Sequence, residues 1–195
     1  MNQLLKQPAA VLSLCLIFIL GICLLVVSVW LRPYHQALDS LQAGALEESF
    51  ELFVKVESRF NSITLARQVF PEIYFDSIAS QFYILYTLGN YDDLLEKSAT
   101  SPVLADVHFW TGNTLFRRTG NLDEPQEQVA WLERASDEFL KAIELAPDDW
   151  NAKYNYEFTN KLIDELKEEK ETPPQIMEIL RPRPQEGEQP FQQTG

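Results

Sequence analysis

Histidines at 35 and 108, cysteines at 15 and 23, and adjacent carboxylate pairs such as Glu47/Glu48, Asp92/Asp93, Asp123/Glu124, Asp148/Asp149 and Glu168/Glu169 are the residue types in this chain suited to chemistry. Neither His35 nor His108 has a second histidine or a cysteine at ligand spacing, so no transition-metal site is expected. Both cysteines fall inside the apolar N-terminal segment, which leaves the rest of the chain without a thiol for a disulfide, a metal or a nucleophile. There is no G-x-S-x-G elbow to set a serine against His108, and neither G-x-G-x-x-G nor G-x-x-x-x-G-K-[ST] to cradle a phosphate. The "NLDEPQE" stretch at 121–127 has too few spaced oxygens and no glycine turn for an EF-hand. Paired carboxylates can hydrolyse glycosides only when two face each other across a cleft. Here they read as turns, caps and solvated faces. No catalytic, cofactor-binding or metal-ligating residue is therefore expected.

The elements around these residues explain why. The chain has 195 residues, a formal net charge of -13 and a pI near 4.5, with no basic run, which excludes a nucleic-acid partner. From Ala9 to Leu31 no residue is charged, and "LCLIFILGICLLVVSVWL" is almost wholly aliphatic. A helix over residues 9–31 would span roughly 34 Å, the thickness of a bilayer core. A cleaved signal peptide is the competing reading. Its apolar region would be shorter and promptly followed by a small-residue cleavage site, whereas this run ends in Trp30, Leu31, Arg32, Pro33 and Tyr34. The only A-x-A, Ala43-Gly44-Ala45, lies well downstream. The sequence thus predicts a short cytoplasmic N-terminus over 1–8 and an uncleaved transmembrane helix over 9–31. Beyond Arg32 the chain carries 14 basic and 29 acidic residues and no cysteine. Such a domain suits the periplasmic side of a bacterial inner membrane, with the N-terminus inside.

Residues 33–171 read as helix after helix, with apolar positions at i, i+3 and i+4 and few strand-like alternations. Within 105–147, Ala135, Phe139, Ala142 and Pro147 are spaced 4, 3 and 5 apart, and Gly112 lies in the preceding helix. This pattern resembles the tetratricopeptide repeat (TPR), in which small residues sit where paired antiparallel helices cross and a proline ends the second. "LGNYDDLLEKS" at 88–98 resembles the turn between TPR helices, with its closing half truncated. A third, degenerate unit follows the anchor, with a turn at Gly44 and Phe50, Phe53 and Val56 at helical spacing. "RFNSITLARQVFPEIY" does not fit the period, and Pro71 is expected to break it. An insertion after Gly120 lets Pro125 start a second helix about 20 residues long. The expected fold is all-α: a single transmembrane helix, then a TPR-like stack of antiparallel helix pairs. From Thr172 to 195 the composition turns to Pro, Gln and Glu, the signature of a disordered tail, with "QIMEIL" as a short apolar island.

The passage "APDDWNAKYNYEF", residues 146–158, closes the helical region. Asp148 or Asp149 is a natural N-cap, and Trp150, Tyr154, Phe158, Leu162 and Leu166 recur every four residues as one apolar ridge facing the previous pair. The TPR resemblance also implies a concave face lined by first-helix side chains. By position these are Tyr83 and Tyr86, then Phe109, Asn113 and Arg117, then Asn151, Tyr154 and Phe158. Tyr154 and Phe158 are claimed by both readings. An anchor, TPR-like helices and "A-P-x-x-W-x-A-K-Y-N" together resemble the MxaK-like and Bat-type accessory proteins encoded beside MoxR-type ATPases and von Willebrand factor A proteins. That resemblance implies a non-catalytic membrane-anchored assembly factor, as in methanol dehydrogenase maturation, whose partner is a von Willebrand factor A domain protein or a MoxR-associated complex. A TPR scaffold of a secretion or division machine, and a membrane-bound hydrolase using an acidic pair, are the alternatives.

Overall fold

The computed structural model describes residues 6–168, so the tail over 172–195 and the first five residues lie outside the described residues. Among the described residues all regular structure is helical, in eight elements. They group into two compact units, one ending at Gly89 and the other beginning at Asn90.

The first unit is built on α1 (Lys6–Gln42), a single helix of 37 residues. The stretch from Ser13 onward is long and apolar enough to cross a membrane, and its apolar side chains, Cys15 and Cys23 among them, are exposed rather than packed. The helix does not stop where the apolar run stops. It continues through Pro33, and its last turns place Tyr34, Ala37, Leu38 and Leu41 in the unit's core. Proline removes one backbone donor, but the apolar contacts of the following turns outweigh that loss. Gly44, at φ 76°, turns the chain into α2 (Leu46–Ser62). The two helices run antiparallel: Ser49 donates to Ala37 O at 2.8 Å near the turn, and Arg59 Nη1 donates to Trp30 O at 2.9 Å at the other end. Phe53, Val56 and Phe60, spaced three and four apart, are all buried on the inner side of α2.

The stretch that does not fit the repeat period forms a short helix, α3 (Thr64–Val69). Pro71 then occupies the first turn of α4 (Pro71–Leu88), where its missing N–H costs nothing. Tyr74, Ile78, Phe82 and Leu85 line the buried side of α4. Gln81, fully buried, bridges to α2 by donating to Glu57 Oε2 at 2.9 Å. Gly89, in the left-handed region at φ 76°, caps the helix as the L-G-N-Y turn requires.

The second unit opens with α5 (Tyr91–Ser98), only eight residues long. It continues with α6 (Ala105–Thr119), α7 (Pro125–Leu145) and α8 (Trp150–Glu168). Pro125 starts α7, and the 21-residue length matches the long second helix expected from the insertion. α7 packs against both α6 and α8, which also touch each other. The pairings are antiparallel: His108 meets Glu138 and Arg118 lies over Trp131, while Ser136 meets Asn160 and Lys167 meets Glu133. Leu115, Ala135 and Phe139 form one core cluster, and Leu132, Leu162, Ile163 and Leu166 form the next.

The close crossing of α6 and α7 depends on Gly112. A Cβ placed there would lie 2.7 Å from Phe139 Cε1 and 2.8 Å from its Cδ1, so the ring rests directly on the glycine backbone. Phe139 is thereby seated within the α6–α7 pair, and Phe109, Phe116, Leu95 and Tyr156 close around its cluster.

Candidate protein-binding face

The chemistry-bearing residues sort into structural roles. Glu47/Glu48 and Asp92/Asp93 lie in the first turns of α2 and α5, while Asp123/Glu124 and Asp148/Asp149 immediately precede α7 and α8. All four pairs stand where the helix dipole favours negative charge. Asp149 is the cap foreseen from the sequence: its Oδ1 accepts from Asn151 N at 2.8 Å and from Ala152 N at 3.4 Å. Asp92 is held by Arg118 of α6. No group of three or more His, Cys, Asp or Glu side chains converges as a metal site among the described residues.

His108 is engaged rather than open. Its Nδ1 lies 2.6 Å from Glu138 Oε2, and Lys141 Nζ donates to the other carboxylate oxygen at 2.7 Å. The carboxylate is a clasp between α6 and α7. Burial alone would raise the Glu138 pKa, but the hydrogen bonds and charges of His108 and Lys141 outweigh it and hold the carboxyl below its ordinary value. A carboxyl whose pKa is depressed on folding stabilises the fold above its unfolded value, and that contribution disappears as the pH falls through the depressed folded value. Denaturant unfolding from neutral to acid pH is therefore expected to show a steeper acid loss in the native protein than in Glu138→Gln. At neutrality the variant should be weaker by about 1 kcal/mol, because Lys141 is half exposed and its share is screened. Parallel slopes would show that the clasp contributes nothing.

The eight residues expected to grip a partner fall in both units. Tyr83, exposed, and Tyr86, half-buried, lie on α4 of the first unit. The other six lie on α6 and α8 of the second. Asn155 Nδ2 donates to Asn113 Oδ1 at 2.9 Å, and Phe158 meets Phe116 at a centroid distance of 5.9 Å, so these two helices share one face. Asn113, Asn151, Tyr154 and Phe158 belong to that face or its margin. Phe109 is turned more toward the core, 6.2 Å from Phe139. Arg117 is half-buried on α6.

The structure corrects the ridge. Leu162 and Leu166 are buried and Phe158 is half-buried, but Trp150 is 77% and Tyr154 68% exposed. With about 3.6 residues per turn, each step of four advances about 40° around the helix, so five such positions sweep about 160° and cannot share one side. The buried side is instead Ala152, Thr159, Leu162, Ile163 and Leu166. The competing claims on Tyr154 and Phe158 separate accordingly: Tyr154 is a surface residue, and Phe158 supports it from below. Their rings are parallel within 3° at 6.1 Å.

Family models, curated proteins and solved structures give no significant match to this chain. The face must be read from its own geometry. At the start of α8, outside these contacts, the Lys153 ammonium lies 4.6 Å from the ring centroid of the exposed Trp150. The face thus offers aromatic surface from Tyr154 and Phe158 beside the amide groups of Asn113 and Asn155.

Proposed function

We propose that the protein is a non-catalytic, membrane-anchored assembly factor that holds a partner protein on the α6–α8 face. The observation that carries this reading is Tyr154, a large aromatic side chain more than two-thirds exposed whose ring lies parallel to that of Phe158. A pre-ordered aromatic ring gives contact area at little entropic cost, which is the character of an interface anchor. The amides of Asn113 and Asn155 beside it supply orientation.

A TPR-like arrangement fits the second unit: Gly112 lies beneath Phe139, Ala135 and Ala142 are buried on α7, and Pro147 follows its end. The anchor and "APDDWNAKYNYEF" support placement among MxaK-like and Bat-type accessory proteins. On that reading α1 sits in the bacterial inner membrane, the helical units face the periplasm, and the partner is a von Willebrand factor A domain protein served by a MoxR-type ATPase.

In-cell photocrosslinking from position 154 tests this. Recovery of a von Willebrand factor A protein, lost in Asn113→Ala without loss of helical content, is the expected result. Capture of secretion or division components alone would overturn the assignment.

A further inference from the structure

The first unit folds back to the level of its own membrane helix. Arg59 reaches Trp30 O, and Phe60 meets the Trp30 ring at 4.7 Å with the planes 61° apart. Trp30 is the penultimate residue of the apolar run that ends at Leu31. The chain leaving Phe60 therefore emerges at the depth where that run ends, and α4 carries it away again from Pro71. Between them, Ile63, Leu65 and Val69 are 48%, 66% and 57% exposed. A polar connection would be expected at a corner facing water.

We propose that this corner, residues 63–69, is embedded in the interfacial layer of the lipid leaflet in which the α1 apolar run ends, with Arg59 and Arg67 at the level of the headgroup phosphates. The proposal rests on α1 crossing a bilayer and extends that reading to the α2–α4 corner. Charge favours lipid as the occupant. From Ser58 to Pro71 there is no acidic residue and there are two arginines, in a chain with 29 acidic residues. Arg67 lies over the Tyr74 ring at 5.7 Å, an amphipathic placement suited to an interface. Leu25, Val26, Val29 and Trp30 form a shallow apolar surface on α1 that Arg59 borders, so a guanidinium stands at the edge of the apolar run. Arg59 and Phe60, just before the corner, join it to the end of the apolar run at Trp30, and the insertion is that of an interfacial helix, about 5–10 Å deep.

The test uses full-length protein carrying Cys15→Ala and Cys23→Ala, with single cysteines introduced by Leu65→Cys, Val26→Cys or Glu47→Cys. Each is labelled with an environment-sensitive fluorophore in vesicles of phosphatidylcholine and phosphatidylglycerol whose acyl chains are brominated near the headgroup. Blue-shifted, quenched emission at positions 26 and 65, with neither at 47, is the expected result. Quenching at 26 but not at 65 would overturn the proposal while leaving the anchor intact, and a protein partner or second copy would then be the occupant. No quenching at 26 would remove the anchor itself and the proposal with it.

Discussion

Phe139→Ala is expected to remove about 3–5 kcal/mol from the stability of the second unit, the range for truncating a fully buried aromatic ring. The ring is 1% exposed and touches the Gly112 backbone, while Phe109, Phe116 and Tyr156 close around its cluster, so little can collapse into the space it leaves. Gly112→Ala probes the same contact from the other side. In an open helix this change would stabilise by about 1 kcal/mol, because alanine is the better helix former. Here the added methyl would meet the ring at under 3 Å, and displacing a core aromatic costs about 1–3 kcal/mol. The net expectation is a loss of up to about 2 kcal/mol by denaturant unfolding, in place of the gain of an open helix. The pair should also couple: in a Phe139→Leu background, Gly112→Ala should become neutral or favourable. Simple additivity of the two changes would mean that the ring does not sit on the glycine.

This contact also shows what the sequence could reveal. A glycine in a helix interior and a phenylalanine flanked by alanines at spacings of four and three are local signals with a single economical explanation, close helix crossing. Gly44, Gly89, Pro125 and Asp149 were legible for the same reason. Each acts through its own backbone or the next turn, and each stands where its conformational preference requires. What the sequence concealed depends on long-range packing. The anchor helix reads as ending at Leu31 with the apolar run, yet α1 passes on through Pro33 because Tyr34, Ala37 and Leu41 find Phe53 and Phe50 on α2. The level of the α2–α4 corner follows only from Arg59 and Phe60 meeting Trp30, a contact across 29 residues of chain. On α8, aromatic types were legible but their exposure was not. Spacing by four marks a stripe that winds around the helix, and only the position of α7 decides which part of the stripe is covered.

That division of α8 leads to a sharp contrast between neighbouring substitutions. Leu162→Ala should destabilise the second unit by about 2–5 kcal/mol, since Leu162 is buried against Leu132, Ile163 and Leu166 where α8 meets α7. Tyr154→Ala and Trp150→Ala, on the same helix and with larger side chains, should each change stability by no more than about 0.5 kcal/mol, because the atoms removed already face water. Thermal or denaturant unfolding of the three variants reads the difference directly. Were the strict four-residue ridge the buried side, the order would reverse and Trp150→Ala would be the most damaging change. The contrast bears on function as well as fold. If Trp150 and Tyr154 can be exchanged for smaller residues at little cost in stability, they are free to serve the binding role proposed for this side of α8. Variants that unfold normally but no longer crosslink to a partner would place the binding energy on this face, and variants that lose both together would return these residues to the core.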